Sequence, residues 1–331
     1  MPASAAKRLL DHYDQHQRKL PWRSASPEPY RVWLSEVMLQ QTTVTTVIPR
    51  FRRFIARWPT IEALASAPPE DVLSEWAGLG YYARARNLIA CAAQVAARGG
   101  FPSSEAELRT LPGIGAYTAA AIAAIAFREQ ATVVDTNVER VVARLYAIAA
   151  PIAEARSEIR ALATALTPAE RPGDFAQAMM DLGATICRPR NPDCRACPLA
   201  TDCGALASGH PESFPAPKEK RARPHRHGIA WWIERDGAVW LVRRPERGLL
   251  GAMAALPGPD WCDQPPLTPG FAVVAHGFTH FTLDLHLASR ASPPPGEGWW
   301  QPLDRLSDAG LPTLYRRAAE AALAERQIRA A

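Results

Sequence analysis

The feature that most limits how this chain can fold is a change of hydrophobic period along it. Up to about residue 207, apolar residues recur at three- and four-residue steps, the spacing that gives a helix one buried stripe. Pro and Gly punctuate the pattern, and helices are expected over 31–41, 61–67, 83–97, 105–111, 117–127 and 139–149. Residues 208–227, SGHPESFPAPKEKRARPHRH, carry no apolar period and are rich in Pro and Lys/Arg, so they read as a linker. Beyond them, short β-branched or aromatic runs over 229–233, 238–243 and 281–287 read as strands, and a helix over 313–329 closes the chain. The expectation is a mainly α region over 1–207, then a separate α+β domain over 228–331, with no internal repeat.

At 331 residues the chain exceeds one ordinary core, and 47% hydrophobic residues suffice to fill more than one. The net charge of +5 suits a polyanionic partner without requiring one. The N-terminal MPASAAKRLLDHYDQHQRKL has no long apolar core and no small-residue cleavage site, so no signal peptide is expected. The longest run of small apolar residues, 119–127, falls far short of the ~18 residues of a membrane helix. A soluble cytoplasmic protein is the expectation.

Four of the six cysteines fall together as Cys187-x6-Cys194-x2-Cys197-x5-Cys203. In a reducing compartment such density points to metal rather than disulfides. An iron–sulfur cubane takes four cysteine ligands. Structural zinc also takes four, but usually as two Cys-x2-Cys pairs, and only Cys194 and Cys197 form one. Cys91 and Cys262 stand alone in apolar surroundings and read as core or partly buried thiols.

Three further places carry chemistry. Leu111-Pro-Gly-Ile-Gly115 joins two helical patterns, and its glycines allow close backbone approach at the start of a helix, where amides and dipole favour an anion. Gly113 and Gly115 are thus candidate phosphate contacts, or parts of a plain helix–helix turn. Asp135 precedes Thr136-x-x-Glu139, which fits a capping box and leaves Asp135 freer for another role, although capping by Asp135 itself stays open. Glu36 sits among apolar neighbours in VWLSEVMLQQT; it is either a buried acid holding a proton near neutral pH, or an exposed or Arg31-paired carboxylate.

Taken jointly, SEVMLQQT at 35–42, GLGYYARARNL at 78–88, LPGIGAYTA at 111–119, VVDTNVERV at 133–141, QAMMDLGATIC at 177–187 and the cysteine spacing resemble the MutY family of adenine DNA glycosylases, within the helix–hairpin–helix superfamily. The likeness runs from about residue 20 to 287. It implies a six-helix barrel over about 27–134 and an iron–sulfur module built from 1–26 with 135–207, carrying one [4Fe-4S] cluster on the four cysteines. The implied partner is double-stranded DNA containing an adenine mispair, bound by a monomer that flips the adenosine out of the stack. The resemblance makes Glu36 the acid that protonates adenine N7, and Asp135 the carboxylate that stabilises the cationic sugar or attacks it transiently. It counts Tyr117 and Asn137 with them, places Trp22, Arg23 and Val44 around the adenine, and assigns Leu39, Gln41, Leu79 and Tyr81 to a wedge beside the orphan purine. Thr136 departs from the family's frequent Gly.

The C-terminal region resembles the Nudix fold, with RRPERGLLGAMAALPG at 243–258 in place of its first hairpin. The following PDWCDQPPLTPG lacks the acids with which such hydrolases hold metal, so a domain that reads oxidised guanine is implied. Phe278, Thr279 and His280 form its candidate reading loop, with Thr279 where the family commonly has Ser. His276 and His280 lack carboxylate partners and read as loop contacts. Two rivals remain. An endonuclease III-like lyase needs a nucleophilic Lys, where Tyr117 stands and where no Lys lies between Gly115 and Asp135. A catalytically silent DNA-binding protein needs neither carboxylate.

Overall fold

The computed structural model describes residues 2–216, 223–246, 248–268 and 270–330, so part of the expected linker, 217–222, lies outside the described residues. The chain divides into two compact units, Met1–Leu79 with Arg84–Glu219 and Gly80–Ala83 with Lys220–Ala331. Before the linker the helices are α1 (Pro2–His16), α2 (Pro29–Leu39), α3 (Val44–Arg57), α4 (Ile61–Ala65), α5 (Pro69–Glu75), α6 (Tyr82–Ala97), α7 (Glu105–Leu108), α8 (Ala116–Phe127), α9 (Thr136–Leu145), α10 (Ile152–Leu166), α11 (Pro172–Thr185) and α12 (Gly204–Ala207). No helix among the described residues is long and apolar enough to cross a membrane.

Helix α8, AYTAAAIAAIAF, is buried from Thr118 to Ile125, as expected of a helix apolar on every side. Its alanines let α2, α7 and α11 pack around it. At the start of α11 the approach is so close that a Cβ on Gly173 would come within 2.5 Å of the Ala124 carbonyl oxygen. Helix α1 does not join this group. Its Leu9 and Tyr13 share a core with Val142 of α9, Ile159 of α10 and Leu182 of α11.

Two boundaries differ from the sequence reading. Helix α9 begins at Thr136, and its N-cap is Asp135, whose Oδ1 accepts the Val138 N–H at 2.7 Å. The Thr136–Glu139 capping box is therefore corrected: an extended Asp immediately upstream reaches the third amide first, and Glu139 faces Arg156 at 3.5 Å instead. The helical unit also continues past residue 207. The Phe214 carbonyl accepts from Arg144 Nε at 3.0 Å, Glu212 accepts the Asn191 N–H at 2.8 Å, and the Ala216 N–H reaches the Ala149 carbonyl at 3.3 Å. Irregular chain docked by backbone hydrogen bonds has no apolar period to reveal it.

After the linker come β1 (His225–Trp232), β2 (Glu234–Arg235), β3 (Ala238–Arg243), β4 (Ala254–Ala255), β5 (Ala272–Gly277), β6 (Thr282–Ser289), β7 (Trp299–Pro302) and α13 (Thr313–Ala330). One sheet has the order β1-β6-β5, with β1 parallel and β5 antiparallel to β6. In the other, β3 pairs antiparallel with β2, β4 and β7. Alternate residues Leu283, Leu285 and Leu287 of β6 point into a core completed by Leu314 and Ala318 of α13. Cys91 is fully buried, whereas Cys262 is exposed, a correction to the expected partial burial. Cys262 lies in a Pro-rich stretch attached to β1 by two backbone hydrogen bonds with His227, at 2.7 and 2.9 Å, which leave its thiol outside the core.

Candidate active site

Helix α2 is buried continuously from Val32 to Met38, so Glu36 has no face to turn to solvent and is 5% exposed. Arg31 does not pair with it; its Nη2 donates to the Pro21 carbonyl at 3.3 Å. The neighbour Glu36 does have is Tyr117 in the first turn of α8, whose hydroxyl donates to Glu36 Oε2 at 2.7 Å and also reaches Met180 Sδ at 3.3 Å. Burial pushes the Glu36 carboxyl up to about 7; the Tyr117 hydrogen bond and Arg23 oppose the rise, and the charge of Asp135 adds to it. Tyr117 is itself held well above its ordinary value, first by burial and then by the two carboxylates, so it stays a phenol.

These residues line one pocket. Trp22, Arg23, Glu36, Leu39, Val44 and Tyr117, all singled out from the sequence, converge there, and Ser35, Gln177 and Met180 complete its polar and sulfur-bearing wall. Arg23 is fixed in the wall by a bidentate pair with Asp181, at 2.6 and 2.9 Å, and Arg18 Nε donates to the same carboxylate at 2.5 Å. Burial raises Asp181, but its bonds to Arg23 and the charge of Arg18 outweigh it and hold the carboxyl below its ordinary value. Sequence reasoning missed Asp181 and Gln177. The available signal was two polar residues four apart with only Ala178, Met179 and Met180 between them, which places both on one face of the helix.

Asp135 does not line the pocket wall, yet its charge acts on both Glu36 and Tyr117. Its Oδ2 accepts from Asn137 Nδ2 at 2.9 Å, and Asn137 Oδ1 accepts from Arg140 Nη2 at 2.9 Å. Arg140 continues to the Gly183 carbonyl at 2.7 Å and the Cys187 carbonyl at 2.9 Å. A Cβ on Gly183 would come within 2.6 Å of Asn137 Cβ, so glycine is what allows α11 this close to the chain. The acid and the cysteine loop are thus joined by continuous hydrogen bonds.

Cys187, Cys194, Cys197 and Cys203 are all free thiols on that loop. Arg144, 3% exposed and one helical turn after Arg140, anchors it by donating to the Arg188 and Pro189 carbonyls at 2.6 and 2.9 Å, and its Nη1 lies 3.5 Å from Cys187 Sγ. Burial pushes the Cys197 thiol up to about 11; the Leu199 amide pulls against this, and the other three sulfurs add to it. Four thiols gathered on one short loop are chemically suited to a cationic centre that takes up their thiolate charge.

The hairpin before α8 holds two different glycines. Gly113 has φ +73° and a Cβ there would meet Asn87 Cβ at 2.6 Å, so the fold itself requires it. Gly115 caps α8 with φ −85°, and a Cβ there would meet nothing within 4 Å. No neighbour within the chain requires glycine at 115, and its open side faces a helix N-terminus.

The candidate wedge residues have varied settings. Gln41 is a non-glycine residue with φ +59°, in the turn leaving α2. Leu79 is buried at 4%, and Tyr81, with φ +49°, is 55% exposed. Arg84, not anticipated from the sequence, donates to the Val37 and Met38 carbonyls that end α2, to Thr42 Oγ1 and to the Leu79 carbonyl, and so fixes the turn carrying Gln41. In the second unit, Thr279 and His280 are exposed between β5 and β6. Phe278 packs against Phe281 and Trp261 with centroids at 4.8 and 5.5 Å.

Residues 34–168 match the model of the HhH-GPD superfamily of base excision DNA repair proteins, and residues 228–321 that of the NUDIX domain. An adenine DNA glycosylase of Buchnera aphidicola (subsp. Schizaphis graminum) is 32% identical over 328 residues, 92% of this chain and 94% of that one. An adenine DNA glycosylase of Arabidopsis thaliana is 40% identical over 294 residues; the match takes in 75% of this chain but 46% of that longer relative. Among solved structures, a thermostable thymine-DNA glycosylase matches with a TM-score of 0.56 and 27% identity, covering 62% of this chain and 97% of its own.

Proposed function

The chain belongs to the adenine DNA glycosylase family, and from that premise we propose that it hydrolyses the N-glycosidic bond of adenine paired with oxidised guanine or guanine in duplex DNA. The observation that carries this reading is Glu36, a buried acid near pKa 7 in a pocket wall, hydrogen-bonded by Tyr117 and within the field of Asp135. An acid so poised is protonated often enough at neutral pH to donate, and basic enough afterwards to be reprotonated.

In this reading a flipped adenine enters between Trp22, Leu39 and Val44, and Glu36 delivers its proton to N7, which turns the base into a neutral leaving group. Positive charge then develops on the sugar. Asp135, fixed by Val138 N–H and Asn137, stabilises that charge or captures it transiently before water completes hydrolysis. Tyr117 holds the proton donor in place. Gly115 admits a phosphate to the amide end of α8, a contact that positions DNA without reading its sequence. Thr279 and His280 read the polar edge that distinguishes oxidised guanine, with Phe278 packed behind them.

The four clustered cysteines hold one [4Fe-4S] cluster. A four-cysteine zinc site usually uses two Cys-x2-Cys pairs, and this loop has only Cys194 and Cys197 so spaced, which favours the cluster over zinc. Bound there, a cluster would close the loop on itself through its ligands, while Arg144 ties the loop to α9 through the Arg188 and Pro189 carbonyls.

The enzyme is monofunctional in this reading. The chain has lysines only at 7, 19, 218 and 220, and the two among the described residues, Lys7 and Lys19, do not line the pocket, so no described amine stands there to form a Schiff base. The test is single-turnover base release from duplexes carrying adenine opposite oxidised guanine, guanine, cytosine or thymine, with borohydride added in parallel. Release should be fastest for the first two, the strand should break only after alkali, and little covalent adduct should form. Direct strand cleavage with efficient trapping would identify a lyase, and no release from any duplex would identify a silent binder.

A further inference from the structure

Strands β1 and β6 run parallel with His225 opposite Thr282, His227 opposite Asp284 and Ile229 opposite His286. Side chains alternate along each strand, and the buried faces hold Ala230 and Trp232 on β1 and Leu283, Leu285 and Leu287 on β6. His225, His227, Asp284 and His286 therefore share the opposite face. We propose that His225, His227 and Asp284 form a zinc-binding site there, at the start of the strand-rich unit, with His286 at its edge.

One ligand atom from each of the three lies within 4.8 Å of the other two. His225 Nε2 is 3.2 Å from Asp284 Oδ2, and His227 Nδ1 is 3.4 Å from His286 Nε2. Tetrahedral zinc at ~2.0–2.1 Å from its nitrogen and oxygen ligands holds them ~3.3–3.4 Å apart, so the His225–Asp284 hydrogen bond already sets these two ligand atoms at close to the spacing an ion needs. His225 Nδ1 makes a 2.7 Å hydrogen bond with Thr282 Oγ1, which orients the ring and leaves Nε2 for the metal. His286 is half-buried and meets His227 through Nε2 at the edge of the site. The side chains of His225 and Asp284 are 46% and 33% exposed, which gives an ion a route in. Two imidazoles and one carboxylate suit a borderline divalent ion better than calcium or magnesium, which prefer oxygen. Bound zinc would fasten the first strand of the unit to β6.

The test is titration of the full-length protein, with its iron content measured, first with zinc chloride by calorimetry and then with cobalt(II) followed by absorption. One zinc per chain is expected, with a rise in the melting temperature. The cobalt spectrum should show tetrahedral d–d bands without thiolate charge transfer. His227→Ala and Asp284→Asn should each weaken zinc binding by at least ~10-fold. The surface variant His225→Gln, which retains a fold-neutral polar side chain, should weaken binding while adenine release is unchanged. The proposal is overturned if no zinc binds, if affinity survives these substitutions, or if cobalt gives a thiolate band that only cysteine substitution removes.

Discussion

At the scale of single residues, Glu36 and Asp135 sit differently. Glu36 depends on its proton. Its folded-state value of about 7 exceeds the ordinary 4.5, so the native state holds a proton that the unfolded chain releases between those values. Stability from this group is therefore lost as pH rises through that window, and general acid activity should fall about tenfold per unit above pH ~7. Glu36→Gln should slow excision ~10²–10⁴-fold, flatten the pH profile, and melt higher than the parent protein at pH ~8, where the parent buries a charge. Single-turnover rates and melting curves against pH check both halves; an unchanged rate would remove Glu36 from the chemistry. Asp135 combines the chemical role proposed for it with a cap. Asp135→Asn keeps an oxygen for the Val138 amide and should preserve stability while excision falls, whereas Asp135→Ala should also lose ~0.5–2 kcal/mol. Equal stability of the two variants would show that the cap does not matter. Sequence makes Glu36 legible as a lone carboxyl in an apolar run. It does not reveal which of two adjacent cap-capable residues wins, because Asp135 and Thr136 both satisfy the local rule and only the backbone angles decide.

At the scale of elements, the hairpin before α8 gives two glycines with separable duties. Gly113→Ala forces a side chain into a left-handed position and against Asn87, and should cost ~1–2 kcal/mol or more. Gly115→Ala meets no atom of the chain, so its stability loss should stay below ~1 kcal/mol while affinity for any duplex falls. Melting temperature and binding to undamaged DNA, measured on both variants, separate the two. Full affinity in Gly115→Ala would mean that no phosphate approaches there. Helix α9 illustrates what sequence conceals. Its apolar stripe is plain, but Arg140 and Arg144, one turn apart, reach a loop more than forty residues later, to Cys187, Arg188 and Pro189. Nothing local marks a buried arginine whose partners are backbone carbonyls. The clustering of the cysteines is legible for the opposite reason: the four thiols all lie within one short stretch.

At the scale of the whole molecule, the two units divide the work proposed above, and a truncation tests the division. The helical unit uses Phe214 and Ala216 as backbone partners, so the shortened chain should end after Ala216 and not at 208. It should still release adenine but lose most of its preference for oxidised guanine over guanine. A few hydrogen bonds at ~0.5–1.5 kcal/mol each make that preference tens-fold. Undiminished discrimination would move lesion reading to Gln41, Leu79 and Tyr81. The change from helical to strand period foretells two units, while the extra docked residues before the linker escape it. The placement of α1 has a consequence for biosynthesis. Ile159 and Leu182, against which Leu9 and Tyr13 of this helix are buried, are made some 150 residues after it. At ~5–20 residues per second, α1 waits roughly 8–30 s with its apolar stripe uncovered. During synthesis, this segment therefore keeps an apolar surface open until the chain returns to cover it.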